Sequence, residues 1–239
     1  MTFRLHHKAV TESTNLDARE GSPGDVFTAD EQTAGRGRLD HRWLSPPRTN
    51  LMLSVVLDVA DLPPERVATL PLAVGLAVHA AVAGFLAPDR PVRLKWPNDV
   101  LVASRKIAGI LCERHGDGVI AGVGVNVNQT VFAPELATRA TSLAREGAAL
   151  SVPELRDALL AELSDVYGTW REDGFAPLLP RYGAVDFLKG KTVSVLQTDD
   201  DDAPLTGRCD GVQEDGTLRV AGQTVYAGEA HVCGWTENG

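Results

Sequence analysis

Short runs of apolar and β-branched residues recur along the first half of the chain and predict strands. Two of them, residues 26–29 and 51–57, lie on either side of a long polar segment and are bounded by turn-forming residues. Shorter runs then follow closely, with Pro-Asn-Asp, Ala-Ser-Arg and His-Gly-Asp-Gly turns between them, at residues 92–95, 100–102, 106–113 and 119–127. This spacing predicts a meander of hairpins that follows the two earlier strands.

Apolar residues at helical spacing occur in three segments. Residues 63–86 begin with two prolines and predict one long helix with proline in its first turn. Residues 152–170 predict a second helix, which Ser151 would cap, and residues 176–182 predict a short third one. These elements predict an α+β fold in which helices pack on one face of a mixed β-sheet.

The pattern changes towards the C-terminus. Short apolar runs at residues 193–196, 205–209 and 218–220 alternate there with glycine turns, which is typical of a small all-β module such as an SH3-like β-barrel. We therefore expect a larger domain at residues 1–187 and a β domain at residues 188–239. A module of about 50 residues is small for independent stability, so we expect it to dock on the larger domain.

Cysteine usage and the N-terminal sequence bear on the compartment. Cys112, Cys209 and Cys233 are an odd number, lie far apart and lack metal-ligand spacing, which fits a reduced interior better than a disulfide framework. The N-terminus has no apolar signal region, and the most apolar stretch, residues 70–86, is interrupted by proline, glycine and histidine. We therefore expect a cytoplasmic protein with no segment that enters a membrane.

The net charge of −9 limits the possible partners. A nucleic-acid binder normally carries a basic face, because neutralising phosphates supplies most of its affinity. An acidic chain therefore disfavours a polyanion partner, whereas a local basic loop can still bind a single nucleotide. The most acidic run, residues 199–202, is expected to form a solvated hairpin tip.

One polar segment combines glycine, arginine and tryptophan in a way that no core requires. Gly35 and Gly37 alternate with Arg36 and Arg38, and Trp43 follows shortly after. Glycine permits a positive φ and a close approach of the backbone to a ligand, and the planar guanidinium suits phosphate or carboxylate oxygens. The segment predicts an anion-binding loop between two strands, and an exposed basic turn is the alternative.

Two further segments place charges in apolar surroundings. Residues 95–99 read Lys-Trp-Pro-Asn-Asp, where proline would bend the chain and aim Asn98 and Asp99 into a cleft; an ordinary tight turn is the alternative. Lys106 enters a strand that is otherwise nearly all apolar, and burying a lysine is costly unless an anion meets it. We expect Lys106 to face a substrate, and the alternative is an edge lysine whose ammonium reaches solvent.

Together these motifs resemble the biotin-protein ligase family, in its short form without an N-terminal DNA-binding domain. The family has a Gly-Arg-Gly-Arg loop followed by Trp, then Lys-Trp-Pro-Asn-Asp, then a segment that residues 105–111 match here. Specific motifs run in the family's order from Ser13 to Asn126, whereas the C-terminal module matches in position, size and a Gly-Glu turn. This sequence departs from the family at residues 39–41, where many members have a further Gly-Arg pair that Arg42 would replace.

The resemblance implies roles for individual residues. Biotin would bind with its ureido ring among hydroxyl and amide groups and its carboxyl end at the loop, through Ser13, Thr14, Asn15, Gln32, Gly35, Arg36, Lys106, Gly109 and Leu111. ATP would contact the phosphate-holding Arg38, with Trp43 and Asn126 at the adenine, and also Arg36 and Asn98. The implied catalytic groups are Lys106, Arg38, Lys95 and Asp99, and Asp99 is also the candidate Mg²⁺ ligand. A plain helix N-cap is the other interpretation of Ser13 and Thr14.

The implied reaction joins biotin to ATP, giving biotinyl-5′-AMP and pyrophosphate, and then transfers biotin to a lysine of a biotin carboxyl carrier protein. Neither a membrane nor any nucleic acid beyond ATP is an expected partner, and a homodimer is left open. A lipoate-protein ligase or octanoyltransferase of the same superfold is one alternative, which the polar pocket residues disfavour. A biotin-responsive repressor is another, and the residues before Ser13 are too few for a DNA-binding domain.

Two other motifs have weaker interpretations. The glycine-rich residues 122–127 lack the third glycine of a dinucleotide fingerprint and follow no βαβ pattern. Cys112 has no histidine placed by sequence to activate it. Its apolar neighbours predict a buried, inert thiol rather than an acyl-transfer nucleophile.

Overall fold

A computed structural model of the chain describes residues 1–38, 41–196 and 203–233. Leu39 and Asp40, at the point where the sequence departs from the family, lie outside the described residues. The aspartate run at 199–202, expected to be a hairpin tip, and the last residues of the expected β domain also lie outside them. The described residues form two β-sheets, of seven and five strands.

The larger sheet is mixed, as predicted. Its strands lie in the order β1-β2-β3-β7-β6-β5-β4, with β1 and β2 parallel and the other neighbours antiparallel. The strands β4 to β7 pair consecutively, which confirms the meander of hairpins. Their bounds are β1 Arg4–Thr11, β2 Asp25–Gln32, β3 Leu51–Asp58, β4 Val92–Lys95, β5 Asp99–Val102, β6 Arg105–His115 and β7 Gly118–Val125.

Strand β1 has no counterpart in the sequence prediction. Nearly all of its side chains are exposed, because β1 is an edge strand, so no apolar run marks it. Polar contacts to β2 hold it instead: Asp25 accepts hydrogen bonds from Arg4 Nε at 2.8 Å and from His6 Nε2 at 3.0 Å. These contacts and the backbone N–H of Ser22 hold the pKa of the Asp25 carboxyl well below its usual range.

The long helices cover one face of this sheet. The helices of the described residues are α1 Thr14–Asp17, α2 Pro64–Ala68, α3 Leu70–Ala83, α4 Val152–Asp173 and α5 Leu179–Val185, and short 3₁₀ helices occur at Ala18–Glu20, Pro134–Leu136 and Ala176–Leu178. The long helices are α3 and α4. The apolar α3 packs against β4, β5, β6 and α4, and α4 also contacts β3. The short α1 lies on the opposite face, against β2, β3 and β7.

The predicted single helix over residues 63–86 is in fact two helices, α2 and α3, and α3 ends at Ala83. The break falls at Thr69, whose hydroxyl donates to the carbonyl of Arg66 at 2.7 Å and accepts from Trp170 Nε1 at 2.8 Å. Pro71 then has no N–H with which to continue the helical ladder. Among the described residues, only this stretch is long and apolar enough to cross a membrane, and 61% of it is buried inside the protein.

Helix α4 confirms its predicted cap. Ser151 Oγ accepts from the backbone N–H of Glu154, and the Glu154 carboxylate accepts from the Ser151 N–H at 2.7 Å. The helix runs three residues beyond the predicted end and stops before Gly174, whose φ is +81°.

The second sheet is small and wholly antiparallel, with strand order β11-β10-β9-β8-β12. Its strands are β8 Thr192–Leu196, β9 Leu205–Val212, β10 Leu218–Val220, β11 Gln223–Val225 and β12 Glu229–Val232. It docks on the larger unit, as predicted, since its buried side chains belong to the same hydrophobic core. Trp96 Nε1 donates across the junction to the carbonyl of Gly216 at 3.0 Å.

Candidate active site

A cleft of about 820 Å³ opens on the face of the large sheet opposite α3 and α4. Side chains alternate between the two faces of a strand, so Met52 lines the cleft while its neighbour Leu51 lies in the hydrophobic core. Every predicted site residue lines the cleft except Gly35, which lines an adjoining cavity of about 270 Å³. Residues 229–232 of β12 form part of the wall, and this contribution was not predicted.

In the Gly-Arg loop, residues 35–37 pair with residues 41–43 between β2 and β3. Trp43 N donates to the carbonyl of Gly35 at 3.0 Å, and Gly37 N donates to that of His41 at 2.7 Å. A Cβ on Gly35 would collide with the Trp43 carbonyl oxygen. Neither Gly35 nor Gly37 has the positive φ that the sequence suggested, so close backbone approach is what requires glycine at Gly35.

The indole of Trp43 lies on two facing glycines in the centre of the sheet. Gly109 on β6 pairs with Gly124 on β7, and a Cβ on Gly124 would come within 2.5 Å of Trp43 Cε2. A Cβ on Gly109 would lie 3.4 Å from Trp43 Cζ3. The ring nitrogen of Trp43 is buried and makes no hydrogen bond within the described residues. The pair of glycines therefore forms a flat floor that accepts an aromatic ring.

One end of the cleft is lined by neutral polar groups. Gln32 Oε1 accepts from the backbone N–H of Thr14 at 2.7 Å and lies 3.0 Å from Thr14 Oγ1. Ser54, which is fully buried, lies 2.7 Å from Thr14 Oγ1 and 2.6 Å from Asn15 Oδ1. Ser13 is also buried at the start of α1, but its side chain makes no capping hydrogen bond, so the plain N-cap interpretation is wrong for its hydroxyl.

Two residues of this network were not predicted from the sequence. Ser54 joins Thr14 to Asn15 from the central strand β3, and Glu113 on β6 accepts from Asn15 Nδ2 at 2.7 Å and from Arg36 Nη1 at 3.0 Å. Neither residue lines the cleft. Ser54 has no sequence signal, whereas Glu113 is a carboxylate in an apolar strand and could have been questioned on the same ground as Lys106.

The other end of the cleft is charged. Lys106 Nζ lies 2.6 Å from Asp99 Oδ1, so a carboxylate of the protein already meets the lysine that was expected to face a substrate. The hairpin of β5 and β6 brings the two side chains together, with Leu101 opposite Lys106 and Asp99 opposite Gly109. Nearly two-fifths of the Lys106 side chain is exposed to the cleft, which leaves room for a second anion.

The Lys-Trp-Pro-Asn-Asp segment forms the bend between β4 and β5, with a cis peptide bond between Trp96 and Pro97. Asn98 Nδ2 donates to the carbonyl of Ile110 at 2.8 Å, and Asn98 Oδ1 accepts from Arg38 Nη1 at 3.4 Å. Lys95 lines the cleft beside it. The bend is therefore a tight turn, as its alternative interpretation held, and it also directs Asn98 and Asp99 into the cleft.

Asn126 lies deeper than its predicted contact with adenine suggested. The residue is 5% exposed; its Nδ2 donates to the carbonyl of Thr141 at 3.0 Å, and its Oδ1 lies 3.4 Å from Asn50 Nδ2. Residues 139–141, one of which accepts this hydrogen bond, also pair with the backbone of Lys106: Lys106 N donates to Arg139 O, and Thr141 N donates to Lys106 O. Buried Glu146 links this segment to β6, because it accepts from Thr141 Oγ1 and, at 2.7 Å, from Arg105.

None of the three cysteines lines the cleft. Burial, with a smaller contribution from the Glu113 carboxylate, raises the pKa of the Cys112 thiol to about 12, as the inert interpretation predicted. Burial likewise raises the pKa of Cys209 to about 11. Neither thiol supplies a thiolate near neutral pH.

Comparison with known proteins agrees with this geometry. The chain matches the Biotin/lipoate A/B protein ligase family over residues 7–129. It is similar to the biotin--[acetyl-CoA-carboxylase] ligase of Mycobacterium tuberculosis, with 38% identity across 94% of this chain and 86% of that protein. It is also similar to the bifunctional ligase/repressor BirA of Escherichia coli, with 32% identity across 87% of this chain and 66% of that protein.

Among solved structures, the biotin protein ligase from Aquifex aeolicus in complex with biotin and ATP is similar, with a TM-score of 0.83 and 30% identity. The alignment covers 95% of this chain and 97% of that one. The chain therefore belongs to the biotin/lipoate protein ligase family. The predicted α+β fold, with a mixed sheet followed by a small antiparallel one, is confirmed.

Proposed function

We propose that this protein is a biotin protein ligase, an ATP-dependent enzyme that forms biotinyl-5′-AMP and transfers biotin to a protein lysine. One observation carries the proposal: a single cleft has a neutral hydroxyl-and-amide pocket at one end and arginine and lysine side chains at the other. Biotin has two ends that match these, an uncharged ureido ring and a carboxylate. The names of the similar proteins from Mycobacterium tuberculosis and Aquifex aeolicus support the assignment.

The polar end favours biotin over lipoate or octanoate. A ureido ring offers two N–H donors and one carbonyl acceptor, which hydroxyl and amide side chains can match. A dithiolane ring or an alkyl chain would leave Thr14, Asn15 and Gln32 facing an apolar group, and unpaired buried polar groups are costly. The substrate pocket, comprising Ser13, Thr14, Asn15, Gln32 and Leu111, is thus our candidate for the ureido site.

The charged end suits adenylate formation. A biotin carboxylate oxygen would attack the α-phosphorus of ATP, forming a P–O bond while the bond to the β-phosphate breaks and pyrophosphate leaves. Lys106, Lys95 and Arg38 would offset the negative charge that gathers in this step, with Arg36 at the biotin carboxylate. The amine of the acceptor lysine would then form the amide bond, with release of AMP and loss of a proton.

The carboxylate of Asp99 would have two roles. Asp99 Oδ1 lies 2.6 Å from the Lys106 ammonium and so would orient it before substrate binds. No group of three metal-ligating side chains occurs among the described residues, so Asp99 would be a lone protein ligand. This donor set fits a magnesium ion held mainly by ATP phosphates, with Asp99 as its protein ligand; such an ion would neutralise phosphate charge.

Several further parts of the proposal concern partners and place. The acceptor is a lysine of a biotin carboxyl carrier protein, and the working compartment is the cytoplasm. The boundary between a catalytic domain at 1–187 and a β domain at 188–239 stays a prediction, as does a homodimer. We also expect no saturable complex with duplex DNA at physiological salt, because the net charge is −9. A gel shift with and without biotin and ATP tests this expectation.

The function is tested by ATP–pyrophosphate exchange with biotin, lipoate and octanoate in parallel. We expect exchange with biotin alone, and transfer of biotin to a carrier domain but not to one whose acceptor lysine is replaced by arginine. Exchange with lipoate or octanoate at the biotin rate would contradict the substrate assignment. The matched control is Arg114→Ala, an exposed residue on β6 that does not line the cleft and should leave exchange unchanged.

A further inference from the structure

One carboxylate beside the cleft belongs neither to the predicted biotin set nor to the predicted ATP set. Glu113 lies on β6 with about one-fifth of its side chain exposed, and each of its oxygens has a partner. Oε2 accepts from Asn15 in the polar pocket, and Oε1 accepts from Arg36 in the Gly-Arg loop. We propose that Glu113 is a positioning residue that holds both ends of the biotin site in one arrangement. The inference rests on the proposed biotin ligase function.

The hydrogen bonds around Glu113 have a fixed direction. A carboxylate only accepts, so Asn15 must present its NH₂ to Glu113, and its Oδ1 then faces Ser54. An amide oxygen also only accepts, so Ser54 must use its single proton on Asn15. At the 2.7 Å contact between Ser54 and Thr14, the donor is therefore Thr14. Glu113 is the acceptor that sets the orientation of every group in this series.

The series determines what the pocket offers a ligand. The Thr14 hydroxyl has one proton for two acceptors, Ser54 Oγ at 2.7 Å and Gln32 Oε1 at 3.0 Å. The Thr14 backbone N–H also donates to Gln32 Oε1 at 2.7 Å, so the Gln32 NH₂ is directed away from Thr14, and Gln32 lines the cleft. Asn15 Nδ2 lies 2.7 Å from Glu113 Oε2 and 3.4 Å from the carbonyl oxygen of Leu111. If Glu113 lost its oxygen, the Asn15 amide could turn over, and the pocket would present an acceptor where it now presents a donor.

The second oxygen of Glu113 acts on the loop. Arg36 Nη1 lies 3.0 Å from Oε1, and Arg19 Nη2 lies 3.7 Å from the same atom. Arg36 is 77 residues away in sequence, belongs to the Gly-Arg loop and lines the cleft. Glu113 is less exposed than either arginine, so it is the fixed member of the cluster.

One molecule of biotin would span the distance between the two partners of Glu113. Its ring would meet Asn15 and its carboxylate would meet Arg36. Glu113 touches neither end, since it does not line the cleft. Its loss should therefore weaken biotin binding while leaving the phosphate chemistry at Lys106 largely intact, a split between KM and kcat.

The test measures ATP–pyrophosphate exchange against biotin concentration in wild type, Glu113→Gln, Glu113→Ala and the control Arg114→Ala. Glu113→Gln keeps the shape and an acceptor for Asn15 but loses the charge that pairs with Arg36, so KM for biotin should rise about tenfold. Glu113→Ala removes both contacts and should raise the KM for biotin about a hundredfold. In both Glu113 variants, kcat at saturating biotin should stay within about threefold of wild type, and Arg114→Ala should match wild type in both constants.

A double-mutant cycle separates positioning from general damage. Glu113→Gln and Arg36→Gln remove the same ion pair. The double variant should therefore have about the same affinity for biotin as whichever single variant binds biotin less tightly. Fully additive losses, an unchanged KM, or a fall in kcat alone would each overturn the inference. Wild type that lacks biotin-dependent exchange would overturn the proposed function itself. The near-isosteric Glu113→Gln keeps the test valid if Glu113→Ala does not fold.

Discussion

The two ends of the cleft are built in opposite ways. At the polar end, Thr14, Asn15 and Ser54 are buried and bonded to one another, so their orientation is set before any ligand arrives. At the charged end, Lys106 contacts Asp99, Arg38 contacts Asn98, and nearly two-fifths of the Lys106 side chain is exposed. Under the proposed function, recognition would rely on the fixed network, and chemistry would rely on charges that take phosphate as a further partner. Variants at the two ends test this contrast, with expected effects that range from large to none.

The largest effect should come from Lys106→Ala. Loss of the ammonium where phosphate charge develops should slow adenylate formation roughly a hundredfold or more. Biotin affinity, measured by calorimetry, should stay near wild type, because the ureido pocket lies at the other end of the cleft. Wild-type rates of biotin-dependent pyrophosphate release would disprove the role. Lys95→Ala serves as the companion variant, with a smaller expected loss.

Arg38→Gly should affect retention of the intermediate. Biotinyl-5′-AMP is a reactive mixed anhydride, and the loop would shield it from water and stray amines. Removing a charge-assisted contact should speed its escape about tenfold to a hundredfold. Serum albumin incubated with enzyme, biotin and Mg-ATP should then become biotinylated, as detected with streptavidin. Equal albumin labelling by wild type and by an adenylate-forming variant would contradict this role.

Ser54→Ala should weaken biotin binding without changing the chemical step. The substitution leaves Asn15 Oδ1 and Thr14 without their shared partner, which should cost about 1–3 kcal/mol, or roughly 5- to 150-fold in biotin KM. kcat at saturating biotin should be unchanged. Ser194→Ala, in the second sheet, is a matched control. A fall in kcat with an unchanged KM for biotin would contradict the assignment of biotin recognition to the polar end of the cleft.

The last prediction is that alkylating reagents have no effect on Cys112. With a pKa of about 12, the Cys112 thiol is about one part in ten thousand thiolate at pH 8. Iodoacetamide at that pH should therefore label exposed Cys233 first and leave Cys112 unmodified by mass spectrometry. Rapid alkylation of Cys112 with loss of activity would place a reactive nucleophile beside the cleft.

The fold was largely readable from the sequence because most of its strands are buried. Apolar runs marked β2 to β7, and a proline and a serine marked the start of α4. The edge strand β1 was not predicted, because its side chains face solvent and its stabilising contacts are polar. The break between α2 and α3 at Thr69 was not predicted either, since Thr69 is held there by a hydrogen bond from Trp170, 101 residues away.

The site was readable where a motif concentrated unusual residues in one segment. Those motifs placed Lys95, Asn98, Lys106 and the Gly-Arg residues at a common cleft. Pairings between segments were not predicted: Lys106 with Asp99, and Glu113 with both Asn15 and Arg36. Such contacts arise from strand register, which a motif does not encode. The seven-residue separation of Asp99 and Lys106 across a predicted hairpin was nevertheless a usable hint.

The glycine floor beneath Trp43 sets a limit on how this protein can be stabilised. Glycine within a central strand weakens it, so any scheme that improves strand propensity would replace Gly109 or Gly124 first. Even alanine at Gly124 would push its methyl group into the indole. The bottom of the cleft is thus shaped by side chains that are missing, and the two glycines that such a scheme would replace first are the ones on which the Trp43 indole lies.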